Sequence, residues 1–117
     1  MMFFASKSKK IRKYLNEKTA TGTTTVFDEL LHDYLSGELK TELTALELKK
    51  VEIHIDWLED YRCVGVQAVH HNNYLDLQIE PTTFSIGYDP DEPDEHDSYP
   101  LESKEQLYIV LKQILKT

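Results

Sequence analysis

At Val51 the spacing of apolar residues changes from a helical period to a period of two, and that pattern persists as far as Tyr88. In VEIHIDWL, Val51, Ile53, Ile55 and Trp57 fall on one side of an extended chain, and Glu52, His54 and Asp56 on the other. RCVGVQAV sets Arg62, Val64, Val66 and Ala68 against Cys63, Gly65, Gln67 and Val69. YLDLQIE sets Leu75, Leu77 and Ile79 against Tyr74, Asp76, Gln78 and Glu80. TTFSIGY supplies Phe84, Ile86 and Tyr88. The segments between the runs are too short for a crossover, so neighbouring strands must be antiparallel. His70 to Asn73 carries turn chemistry, since Asn tolerates positive φ, and Pro81 ends a strand because it cannot donate to a ladder.

Helices flank this block. In the first, SKSKKIRKYLNEK, residues 6–18 with Ser6 or Ser8 as N-cap, only Ile11, Tyr14 and Leu15 offer an apolar stripe, which predicts weak docking or fraying. TATGTTT, residues 19–25, is small and polar and reads as a linker. Phe27, Leu30, Leu31 and Tyr34 follow helical spacing, with Thr24 or Thr25 placed to cap the start and Gly37 the end. Leu39, Leu43 and Leu46 predict a further helix. Near the C-terminus, Leu107, Val110, Leu111 and Ile114 form a stripe behind Ser103, with Gln106 at the capping-box position. The expected fold is α+β: a four-stranded antiparallel meander with N-terminal helices and a C-terminal helix packed on one face. Residues 1–25 are expected to form a basic helix and polar linker, and residues 26–117 a single domain, a size that buries a sizeable core without staples.

Charge narrows the function. The chain carries a net −8 at pH 7. Residues 1–18 hold six Lys and Arg against Glu17, a net +5, so the remainder carries −13 to reach the total of −8. An acidic body repels nucleic acid and attracts basic partners, while the basic head could meet a phosphate or fold back on the body. No apolar run is long enough for a membrane span, and the start lacks the order of a signal peptide. The lone Cys63 cannot form an internal disulfide. These features predict a cytoplasmic protein.

The stretch YDPDEPDEHDSYP, residues 88–100, concentrates six carboxylates with no Lys or Arg. As an EF-hand loop starting at Asp89 it fails, with Pro93 at the fifth position, Asp94 where the turn needs Gly, and Pro100 where a bidentate Glu belongs. A catalytic carboxyl needs burial to raise its pKa, and a Pro-punctuated acidic loop stays wet. The remaining uses are a non-standard weak cation site, a solvated connector or a lure for a basic protein. For the lure, Tyr88, Asp89, Asp91, Glu92, Asp94, Glu95, Asp97 and Tyr99 are the candidate partner-binding residues.

No catalytic residue, metal ligand set or cofactor motif is identified. The five histidines, His32, His54, His70, His71 and His96, lack the spacing of a zinc site. Adjacent His70 and His71 read as solvated turn residues whose rings point apart. Cys63 reads as a packed strand residue. The four glycines form neither a phosphate loop nor a nucleophile elbow. The acidic face of the sheet, with Glu52, His54, Asp56, Tyr74, Asp76, Gln78 and Glu80, is a second candidate surface, weighed against an ordinary wet sheet face.

In size, acidity, order of elements and an acidic Tyr-flanked loop before the last helix, residues 26–117 resemble the small cytoplasmic immunity proteins of bacterial toxin systems. That resemblance implies a non-enzymatic inhibitor that binds a basic toxin through the loop residues above. The basic head departs from a uniformly acidic inhibitor. The alternatives are a regulatory or structural module that self-associates through its sheet, and a small metal-dependent enzyme using His54, His70 or His71.

Overall fold

The computed structural model describes residues 7–88 and 96–116. Three helices, α1 (Lys7–Thr21), α2 (Val26–Ser36) and α3 (Glu38–Thr44), precede the strands β1 (Lys49–Trp57), β2 (Arg62–His70), β3 (Asn73–Ile79), β4 (Thr83–Gly87) and β5 (Asp97–Pro100), and α4 (Lys104–Leu115) closes the order. The class is α+β with an antiparallel sheet. The sheet has five strands in the order β1-β2-β3-β4-β5, not four. The additional strand, DSYP, pairs with β4 from Thr83 opposite Pro100 to Ile86 opposite Asp97. Its four residues show no alternation and include Asp and Pro, both poor strand formers. An edge position tolerates them, because one side of the strand needs no ladder partner.

The helix ends follow local chemistry. Thr25 Oγ1 accepts from the Asp28 amide, and Asp28 Oδ2 accepts from the Thr25 amide at 2.9 Å, a reciprocal capping box. Gly37 ends α2 at φ 87, a left-handed conformation that costs glycine little. Ser103 caps α4 by accepting from the Gln106 amide. The Gln106 side chain accepts from the Glu102 amide and donates to the Pro100 carbonyl, tying α4 to the end of β5. In α3, the Thr41 and Thr44 hydroxyls donate to the carbonyls four residues back, and the helix stops at Thr44. Leu46 lies past that stop but is still buried.

Ile55, Val64, Val66, Ala68, Leu75, Leu77, Ile79, Phe84 and Ile86 form one buried core with Phe27, Leu30, Leu31, Leu39, Leu43, Leu107 and Leu111 of the helices. Ile11 and Leu15 of α1 belong to the same core, and Ile11 has no exposed surface. Two apolar residues thus anchor a helix that is otherwise polar. Polar contacts supplement them: Tyr14 donates to Asp28, and Lys7 Nζ donates to the Ile55 carbonyl of edge strand β1 at 2.7 Å. Arg62 lies over both the Trp57 ring, at 4.2 Å, and the Tyr14 ring, at 4.8 Å. The basic head folds back on the body at these points.

Two irregularities shape the sheet. Between Lys49 and Glu52 the β1–β2 register shifts, and Lys50 takes a φ of 53 in the bulge. β2 and β3 are joined by a two-residue turn, His71 and Asn72, with φ of 49 and 70. Two positive values mark a type I′ hairpin, whose twist matches that of the strands. Asn suits such a site. His71 does so at a cost on the order of 1–2 kcal/mol.

Candidate functional site: the acidic face of the sheet

Strand register decides which polar side chains meet. Opposite the core residues, β1 presents Glu52, His54 and Asp56, all exposed. β2 contributes Cys63, Gly65, Gln67 and Val69, and β3 contributes Tyr74, Asp76 and Gln78, with Glu80 just beyond. From Glu52 to Glu80 this face holds no Lys or Arg. Arg62 is turned the other way, onto Tyr14 and Trp57. Tyr74 is 81 % exposed, the largest exposure of any large apolar or aromatic side chain among the described residues. Its ring borders a shallow cleft of about 370 Å³ lined also by Lys50, Glu52, Gln67, Val69 and Asp76.

Two imidazoles rest on the same face, each against a strand glycine. His54 is the cross-strand partner of Gly65, and a Cβ added at Gly65 would collide with His54 Nε2. His96 covers Gly87 in the same way, with 2.7 Å to its Nε2, and that nitrogen is 2.9 Å from Asp76 Oδ2. Asp76 and Gly87 are register partners, so His96 bridges β3 and β4. Glycine inside a strand interior marks a close approach. Gly65 and Gly87 were therefore the sequence signals for these two contacts, although neither names the histidine that approaches.

The loop-flanking candidates are placed differently. Asp89, Asp91, Glu92, Asp94 and Glu95 lie outside the described residues. Tyr88 is half-buried, with its hydroxyl 2.6 Å from His70 Nδ1 and 3.2 Å from the His70 carbonyl. Tyr99 stacks on Phe84, with ring centroids 5.2 Å apart, on the core side of the sheet. Asp97 is exposed on edge strand β5. The structure does not bring Asp97 or Tyr99 onto the face that carries Tyr74.

Cys63 is buried, and burial pushes its thiol pKa up, which disfavours the thiolate a nucleophile needs. The turn at His70 and His71 does not splay the rings. Their centroids are 4.1 Å apart, edge to face, and His71 has a φ of 49. Among the described residues, Glu47, His70 and His71 form the cluster whose donor atoms could share a metal ion.

No helix among the described residues is long and apolar enough to cross a membrane. No protein-family model, no curated protein and no solved structure matches this chain.

Proposed function

We propose that this chain is a non-enzymatic binding protein of the immunity type, which inhibits a basic toxin by covering it with the acidic face of its sheet. The observation that carries this reading is the exposed Tyr74 beside Glu52 and Asp76 at one end of the face, where Lys50 borders the same cleft, with Asp56 and Glu80 at the other end. An exposed aromatic ring supplies contact area, and the surrounding carboxylates supply steering and ion pairs. With the helices on the other side of the sheet, this face stays free for a partner. Asp89, Asp91, Glu92, Asp94 and Glu95 add negative charge in the segment between Tyr88 and His96, and Asp97 adds to it beside them. No cofactor enters the reading.

The edges of the sheet favour this over self-association by strand addition. β1 carries a bulge and two lysines at its start, and Lys7 occupies the Ile55 carbonyl. β5 is four residues long and ends in Pro100.

The test is affinity capture from a lysate of the source cell. Wild type is compared with a face variant (Glu52→Gln, Asp56→Asn, Glu80→Gln, Tyr74→Ala) and with a variant neutralised at the loop carboxylates. The expected result is a basic partner, released by salt, that the face variant fails to retain. Loss only in the loop variant would move the site to residues 88–100. A partner that is not basic, or one held equally by all three proteins, would overturn the proposal.

A further inference from the structure

We propose that Glu47, His70 and His71 form a zinc-class divalent metal site at the end of the sheet opposite Trp57. One ring nitrogen of each histidine and one carboxylate oxygen of Glu47 lie within 4.8 Å of one another. His71 Nε2 and Glu47 Oε2 are 3.6 Å apart. Two ligands of one tetrahedral zinc sit roughly 3.4 Å apart, given metal–ligand bonds of about 2.0–2.2 Å. The Glu47 and His71 side chains are 69 % and 68 % exposed, so small rotations of unconfined groups close the remaining gap.

The second observation concerns His70, which is 3 % exposed. Its Nδ1 is engaged by Tyr88, while its Nε2 is buried with no hydrogen-bond partner among the described residues. Buried polar atoms without partners are rare, and each calls for a reason. A metal ion supplies one. The Tyr88 proton can serve one acceptor. With that proton on the His70 carbonyl, Nδ1–H donates to Tyr88 Oη and Nε2 keeps its lone pair. A ligating histidine is commonly held this way, its second nitrogen fixed by an outer partner. The direction also fits. Tyr88 follows β4, on one side of β2, and Glu47 precedes β1, on the other.

Metal binding requires neutral imidazole. Three protein ligands of the N, N, O type suit zinc better than a hard cation such as calcium, and they leave a fourth position open. That position can open onto the adjoining cleft of about 430 Å³, lined by Thr44, Leu48, Lys49 and Asn72 together with Glu47 and His71. The site is independent of the acidic face, and either can stand without the other.

The experiment is a Zn²⁺ titration by calorimetry of the untagged, chelator-stripped full chain, with melting curves in parallel. Wild type should bind one equivalent and melt higher with Zn²⁺ present. Glu47→Asn and His71→Asn should each weaken binding at least about tenfold and abolish the melting shift. Both residues have positive φ, which Asn accepts, so both variants should fold without metal. His96→Gln, a change on the other sheet face, should bind as wild type does. No binding by wild type would overturn the site, and so would equal binding by both Asn variants.

Discussion

Tyr14 donates a 2.7 Å hydrogen bond to Asp28 Oδ1, joining α1 to the capping box of α2. Asp28 has no exposed surface, and Lys18 Nζ stands 3.7 Å from its other oxygen. One carboxylate thus caps a helix and fastens its neighbour. Tyr14→Phe should destabilise the fold by about 1.5–3 kcal/mol, the range for a hydrogen bond to a charged group. Denaturant unfolding at pH 7 measures it.

The same phenol has an alkaline signature. Burial, and then the hydrogen bond to Asp28, push the Tyr14 pKa from 10.0 up to about 12. Above pH 10 the unfolded chain loses this proton while the folded one keeps it, so folding is progressively disfavoured. The contribution is therefore complete below pH 10 and lost as pH rises through about 12. Tyr14→Phe should show a shallower fall in stability between pH 9 and pH 11 than wild type does. Equal slopes would mean that Tyr14 ionises alike in both states.

Ile11 tests whether the basic helix belongs to the core. Its side chain is fully buried. Ile11→Ala should cost about 2–5 kcal/mol, the range for emptying an aliphatic core site. A cost near zero would mean that α1 detaches freely in solution. The apolar spacing of residues 7–18 suggested weak docking because only three positions were apolar. Ile11 and Leu15 are nevertheless buried, because α1 also gains Asp28, Arg62 and the edge of β1 as partners, and none of these is visible from the helix itself.

Gly65 and His54 form a testable pair. Gly65→Ala places a methyl within the space of the His54 ring, which must swing outward. The ring is exposed, so the cost should stay near 1 kcal/mol, and His54→Ala should relieve it in the double variant. A double-mutant cycle with no coupling would show that the ring does not rest on Gly65 in solution.

Tyr74 separates stability from binding. At 81 % exposure, its replacement by alanine should alter folding stability by no more than about 0.5 kcal/mol. Under the proposed function it should weaken partner binding by at least about 2 kcal/mol, the scale of an interface hot spot. Thermal melting and a binding isotherm on the same preparation distinguish the two effects.

The sequence by itself determined most of the helix stripes, the caps at Gly37 and Ser103, a cap at Thr24 or Thr25, four of the five strands, and the membership of both sheet faces. Each follows from periodicity or from a side chain acting on backbone a few residues away. It also determined the split between a basic head and an acidic body. Only the tertiary structure decided the rest. β5 exists because β4 offers an edge to residues with little strand preference of their own. Lys7 meets Ile55 across 48 residues, and Tyr88 meets His70 across 18. His54 and His96 come to rest on glycines through cross-strand register. Glu47 and His71, both in left-handed backbone conformations, come within 3.6 Å across 24 residues of chain. Such contacts depend on register, turn handedness and the closing of long loops. Those are properties of the assembled sheet, and no local spacing of residue types encodes them.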